Sequence, residues 1–325
     1  MHIRMLPFAR AFALAALLAA LPRPAQAIHA AGTLPGVTVS NDTLALSLQG
    51  GIGMAQGQAR EVVYSADELG GEYKLSELFW DIEEVVMAGG SLSVQIGPRY
   101  RVSAGYWTAV TEGSGQMDDF DWLYGPETPW SDWSLSDVDV RDTYAFDLNL
   151  AAELFRQNNL TFSGVVGYRQ DQWSWDDHGL GYIYSENGFR DSVGLSDGST
   201  GITYEQLFSI PYLGVIIGLN GPRLSAEVYF HYSPLVEAED HDYHVFRDTK
   251  FDTEASGGDY YGTGIRVGYR FNPQWSSTVS ADWQIIPEMR ADTTIIAPDG
   301  TETIPNSAGI ANEWMMLSFS VGYDF

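Results

Sequence analysis

From Leu44 onward, apolar and polar residues alternate with a period of two, and this constrains the chain more than any other feature. Leu44, Leu46, Leu48, Gly50 and Ile52 fall on one side, and Ala45, Ser47, Gln49, Gly51 and Gly53 on the other. The same step recurs in Leu92/Val94/Ile96 against Ser91/Ser93/Gln95, and in Tyr144/Phe146/Leu148/Leu150 against Asp147/Asn149. It returns in Leu224/Ala226/Val228/Phe230, and the chain ends with Met315, Leu317, Phe319, Val321, Tyr323 and Phe325 facing one way. A period of two is the period of a strand. Apolar runs of about 18 residues, which a membrane helix requires, are missing. Strands of ten or so residues, apolar outside and polar inside, instead fit an all-β transmembrane barrel.

Connections support the barrel over a soluble β-sandwich, which alternation alone also permits. Short turn signals stand at Ala88-Gly89-Gly90, Gln157-Asn158-Asn159, Asn220-Gly221-Pro222 and Asn272-Pro273. Longer polar segments lie near 60–73, 109–142, 175–203, 234–259 and 287–313. Long and short alternate, which predicts ten antiparallel strands, five long extracellular loops and four short periplasmic turns. All five long loops then share one rim, so residues far apart in sequence can meet there.

The N-terminus sets the compartment. Arg4 and Arg10 precede an apolar stretch, Ala11–Leu21, and Ala25-Gln26-Ala27 supplies a small-x-small cleavage pattern. Residues 1–27 therefore read as a secretory signal peptide, with 28–325 as one barrel domain. The chain has no cysteine, and 17 Lys and Arg against 43 Asp and Glu give a net charge of −26. That balance excludes nucleic acid, whose phosphates need cations, and favours a cationic partner.

Two acidic segments fall on the shared rim. Met117-Asp118-Asp119-Phe120-Asp121-Trp122 belongs to the second long loop, and Val236-Glu237-Ala238-Glu239-Asp240-His241-Asp242-Tyr243-His244 to the fourth. In extended chain Asp119 and Asp121 share a side, as do Asp240, Asp242 and His244. A carboxylate pair facing an Asp-x-His pair can activate water, with His244 as base and Asp242 orienting it. Solvated acidic loops, or loops that loosely hold divalent cations, fit the same residues. The His241-x-x-His244 spacing is wrong for a helical zinc pair.

From about Thr43 to Phe325 the sequence resembles the omptin family of outer-membrane proteases. Met117-x-Asp119-x-Asp121-Trp122, Val236-Glu237 with Asp240-x-Asp242-x-His244, and Gly181-Tyr182-Ile183-Tyr184-Ser185 with Gly188-Phe189-Arg190-Asp191 carry the resemblance, in the family's order. It implies a surface endopeptidase without a cofactor or metal that cleaves cationic peptides or proteins at Arg or Lys. The catalytic set would be Asp119, Asp121, Asp242 and His244. Glu61 and Asp240 would hold the basic side chain, and Asp132 would lie on the leaving-group side. A monomer in the outer membrane of a Gram-negative cell is expected, with its site facing outward. The competing class is an inactive surface barrel, acting as an adhesin or small porin. Lipopolysaccharide activates family members through basic residues on the outer wall. Tyr168 matches one position of that site, but Gln170, Gln172 and Leu207 stand where charged residues are usual. Weaker lipid dependence is therefore expected here.

Overall fold

In a computed structural model, residues 44–66 and 70–325 are described. The signal peptide expected at 1–27 lies outside them. The described chain forms twelve antiparallel strands in one sheet: β1 (Leu44–Ala66), β2 (Glu72–Ile96), β3 (Tyr100–Ala109), β4 (Gly113–Asp121), β5 (Asp132–Gln157), β6 (Leu160–Tyr184), β7 (Ser192–Leu195), β8 (Ile202–Asn220), β9 (Leu224–His244), β10 (Thr249–Arg270), β11 (Trp275–Ala297) and β12 (Gly300–Asp324). The last strand pairs with both β11 and β1, so the sheet closes on itself and its wall has no free edge. Twelve strands stand where the turn pattern predicted ten, for two reasons. β3 and β4 lie end to end between the same neighbours, β2 and β5. β7 pairs with β6 alone, as a hairpin above the wall.

The alternating residues face as the barrel requires. Leu48, Ile52, Leu92, Leu148, Val228, Leu317 and Phe319 are exposed on the outside, while Ser47, Ser318 and Ser320 are buried within. A soluble sandwich would bury the apolar set, so this wall is built for lipid. Exposed aromatic residues band it at two levels. Tyr100, Tyr269, Phe271, Trp275 and Phe325 lie near the short turns, and Tyr106, Tyr168, Tyr232 and Trp283 lie higher. Inside, Arg101 pairs with Glu227 at 3.1 Å and Arg169 with Asp171 at 2.8 Å. Tyr212 donates to Asp147 at 2.8 Å, and Gln284 to Asp171 at 2.7 Å. These partners line the lumen and offset each other's charge.

One expected turn is not a turn. Gly89 and Gly90 lie inside β2, opposite Gly51 and Gly50 of β1. A Cβ on Gly89 would stand 2.3 Å from the Tyr106 carbonyl oxygen, so glycine serves close packing there. The chain reverses instead at Gly97-Pro98-Arg99, where Gly97 takes φ 58°. The five long polar segments are also mostly strand. Above the membrane the described chain reverses at 122–131, 185–201, 245–248 and 298–299, so the strands continue well beyond the lipid.

Register slips explain the misreading. They occur at Arg141/Tyr144, Ser209/Leu213, Ser256/Gly258 and Ile286/Met289, and Glu84 and Asp142 adopt positive φ. An extra residue in one strand switches which alternate set faces inward. On β9, Glu227, Tyr229 and His231 face the lumen below the slip, and Val236, Ala238, Asp240 and Asp242 do so above it. Broken alternation looks like the end of a strand. Here it marks a change of phase.

Candidate active site

Above these slips the inside of the wall becomes apolar. Trp80, Trp175 and Tyr204 are fully buried and stack, with Trp80 and Tyr204 ring centroids 5.0 Å apart. This aromatic layer lies against two of the carboxylates, Trp80 against Glu61 and Tyr204 against Asp240, and withholds water from them. The cleft lies roughly 30 Å along the strand from Tyr232, at about 3.3 Å per residue, and so outside the lipid.

β4 and β9 carry the two acidic segments. Asp119 lies opposite Leu78 of β2, and Asp121 lies opposite Asp132 of β5. Ser76 donates to Asp119 at 3.1 Å. On β9, Asp240 accepts from the Tyr204 hydroxyl at 3.1 Å. The His244 Nε2 and Asp242 Oδ2 are 2.8 Å apart. Glu61 projects inward from β1, between Leu78 and Ile310. Glu61, Asp132, Asp240 and Asp242 are all buried.

The carboxylates feel one another. Burial pushes Glu61 well above the usual carboxylate range, and the charges of Asp242, Asp240 and Asp119 add to it. Burial and then Asp121 raise Asp119, against the hydrogen bond from Ser76. Asp121 is raised chiefly by burial, while Ser76, Arg247 and His244 pull it down. Burial carries Asp240 up to about 7, with Asp242 adding to it and hydrogen bonds from Thr253 and Tyr204 opposing. The fold thus gathers Glu61, Asp119, Asp121, Asp240, Asp242 and His244 around one cleft, from strands nearly two hundred residues apart.

Asp132 and Tyr168 take other partners. Asp132 stands beside Asp121, but its Oδ1 accepts the Ser185 backbone N–H at 2.9 Å, tying the β4–β5 loop to the β6–β7 hairpin. Arg190 reinforces that tie by donating to the Trp130 carbonyl while lying over its ring. Asp132 Oδ2 is buried and has no protein partner. Tyr168 lies on the outer wall, away from the cleft, and donates to Ser209 at 3.0 Å. Gln170 accepts from Tyr144 at 3.1 Å, and Gln172 donates to Glu205 at 3.1 Å. Arg169 turns inward to Asp171, as alternation requires. His241 also turns away from His244, pairing outside with Asp252 at 2.8 Å. No cluster able to hold a metal occurs among the described residues.

Four residues of the cleft were not assigned from sequence: Ser76, Tyr204, Tyr184 and Arg247. Ser76 and Tyr204 lie on strands and carry no local signal, and Tyr184 stands in the Gly181–Ser185 segment of the family resemblance without a role of its own there. The Tyr184 phenol is raised by burial and by Asp119, with Asp121 and Asp132 adding. Arg247 follows His244 by three residues at a hairpin tip, and that spacing is the one clue to it.

Residues 42–325 match the sequence profile of the omptin family. The chain belongs to that family. It is 30% identical to the outer membrane protease OmpP of Escherichia coli over 287 residues, 86% of this chain and 90% of that protein. The plasminogen activator of Yersinia pestis is 28% identical over 296 residues, 90% of this chain and 92% of its own length. Among solved structures, the outer membrane protease OmpT of Escherichia coli superimposes with a TM-score of 0.81 at 26% identity, covering 89% of this chain and 99% of that one. Membership in the omptin family agrees with the lipid-facing wall: this is an outer-membrane barrel with its cleft on the rim of long strands.

Proposed function

We propose that this omptin is an endopeptidase that hydrolyses polypeptides at basic residues on the cell surface. The observation that carries the reading is the His244–Asp242 pair, 2.8 Å apart with Asp242 buried and His244 half-buried, in one cleft with the Asp119/Asp121 pair. Asp242 accepts from Nε2, which leaves the lone pair on Nδ1. That nitrogen takes a proton as a water held against the carboxylate pair attacks the scissile carbonyl carbon. The C–N bond of the tetrahedral intermediate then breaks, and the proton passes to the departing amine, so no acyl-enzyme forms. Burial and mutual repulsion favour retention of a proton within the carboxylate pair, available to the carbonyl oxygen as charge develops on it.

Glu61 and Asp240 supply specificity in this reading. Two buried carboxylates beside an aromatic layer suit a guanidinium or ammonium, whose charge relieves their repulsion. Asp132, with Oδ2 unpartnered, offers a further acceptor on the leaving-group side. A porin role gains nothing from a lumen crossed by the Arg101–Glu227 pair and the Gln284–Asp171 bond. The deciding experiment is hydrolysis of a fluorogenic peptide with a single Arg by refolded protein and its His244→Ala variant. Turnover should fall by about 10²–10⁴-fold, the usual contribution of general-base assistance. Undiminished cleavage by folded His244→Ala would remove the mechanism.

A further inference from the structure

His244 bonds Asp242 on its own strand and interacts with Asp121 of β4, while Asp119, Glu61 and Asp240 gather around Asp242. Carboxylates beside an imidazole in general favour its charged form. Only the neutral ring can take a proton from water. A base placed among so many acids needs something to hold it neutral.

The cation facing this group is Arg247. It closes a three-residue turn, Val245–Arg247, between β9 and β10, and Asp248 follows at φ 48°. The turn is anchored by its backbone: the Val245 N–H donates to the Gly201 carbonyl at 2.8 Å, and Thr249 Oγ1 donates to the Arg247 carbonyl at 3.0 Å. Tyr243 holds Asp248 at 2.9 Å. From this fixed tip the Arg247 guanidinium donates to His244 Nδ1. It lies over the Phe251 ring, 5.7 Å from its centroid, and His244 meets the same ring at 5.2 Å. Its charge also reaches Asp119 and Asp121, as the charge of His244 reaches Asp121.

The protons follow from this geometry. A guanidinium has donors and no acceptor, and it stays protonated. Nδ1 must therefore present its lone pair, and Nε2 carries the hydrogen that Asp242 receives. Protonating Nδ1 would break the Arg247 bond and set two cations face to face.

We propose that Arg247 is a positioning residue for the His244 base: it fixes the lone pair on Nδ1, keeps the imidazole neutral among the carboxylates, and yields that nitrogen to the attacking water when a peptide enters. The proposal rests on reading His244 as the base. It explains how one cleft can attract cations strongly and still contain a usable base. It also gives the entering peptide a cation to displace, one that the carboxylates of the rim can accommodate.

The test uses the full mature chain refolded in detergent, with Arg247→Ala, Arg247→Lys and His244→Ala compared by pH–rate profiles on the single-Arg peptide. The acidic limb of the Arg247→Ala profile should move about one pH unit upward, making turnover near pH 6 about tenfold lower than wild type. By about pH 8.5 the gap should close to less than about threefold, because alkali itself keeps the ring neutral. Added guanidinium ion should narrow the gap at low pH, and Arg247→Lys should fall between the two. Imidazole ¹⁵N spectra at the lower pH should show Nδ1 bare in wild type and protonated in Arg247→Ala. An unmoved acidic limb, or a loss equal at both pH values and unrescued by guanidinium, overturns the proposal. Activity retained by His244→Ala would instead overturn the reading of the base, so the two failures are distinct.

Discussion

The lower and upper halves of this wall use the same strands with opposite chemistry. Within the membrane, leucine, isoleucine and phenylalanine face out, and serine, arginine and glutamate face in. Above it, tryptophan, alanine and valine face in, while Glu239 and His241 of β9 face out. The inversion follows from the solvents. Lipid accepts apolar surface and the lumen needs polar partners, whereas the rim stands in water and needs a dry core of its own. A dry core is also what makes the rim's buried acids costly. The lower half satisfies its charges in pairs such as Arg101–Glu227, and the upper half leaves Glu61 and Asp240 to repel Asp242. One half is arranged for stability. The other keeps a repulsion that a cationic ligand can relieve.

The hinge between the two is the set of extra residues in the strands, so removing one should have the largest effect. Deleting Asp142, at φ 49°, removes the extra residue from β5. The upper part of β5 would then present its other face, turning Asp132, Val138 and Val140 outward. Peptide hydrolysis should disappear, and membrane insertion should survive because the lower wall is untouched. Asp142→Gly keeps the count and tolerates the backbone, so it should retain cleavage within a few-fold. An active deletion variant would show that the slip does not set the phase of the rim.

Next in size is the exchange between function and stability. Glu61→Gln with Asp240→Asn removes two carboxylates from the cleft. Cleavage at Arg should fall by about 10²-fold or more, since hydrogen bonds to charged groups contribute about 1.5–3 kcal/mol each. Hydrogen-exchange protection of the upper β1 and β9 amides should rise in the same variant, because the repulsion is gone. Unchanged preference for Arg would mean the pocket lies elsewhere. Falling protection would mean these acids stabilise the rim.

These contrasts also show why some of the molecule could be read from sequence and some could not. Lipid-facing strands were legible because an invariant solvent on each side enforces strict alternation, as at Leu317, Phe319 and Val321. The Asp119/Asp121 and Asp242/His244 pairs were legible because each lies on a single strand, where parity fixes direction. Strand ends were misread at 142, 234 and 287 because an extra residue breaks the phase while hydrogen bonding continues. Gly89-Gly90 looked like a turn because close packing and chain reversal use the same residue. The partners of the site were not legible. Tyr204 reaches Asp240 only across β8 and β9, and the double role of Asp132 depends on Ser185, fifty-three residues away.

A smaller effect is expected from pH. The folded rim holds Asp240 protonated up to about 7, while the unfolded chain releases that proton at ordinary carboxylate values. Its folded form binds more protons in that window, so its stability falls as pH rises from about 4 to about 7 and levels off above. Glu61 and Asp119 are raised as well and act in the same direction. Exchange protection of upper β9, corrected for intrinsic rates, should therefore decline between about pH 5 and pH 8, and protection of lower β9 should change much less. Parallel decline in both halves would show that the cluster is not its source.

The smallest effect concerns lipid at the boundary between the halves. Here the outer wall closes on itself: Tyr144 bonds Gln170, Tyr168 bonds Ser209, and Gln172 and Ser174 share the Glu205 carboxylate. Leu207 stands opposite Gln172 in the ladder, without charge. A lipid phosphate arriving at this surface would meet neutral amides already engaged and one acid, where charge-assisted bonds need a guanidinium or ammonium. Lipopolysaccharide added to detergent-purified protein should therefore change turnover by no more than about threefold, less than the loss of one charge-assisted bond would give. Gln170→Arg with Leu207→Lys supplies two cations on that face and should create a response that phosphate ions weaken. The sharper form of the comparison lies in the pair of results. Strong activation of wild type by lipopolysaccharide would mean that another face of the wall couples lipid to the rim, and a silent double variant would mean that cations on this face alone cannot.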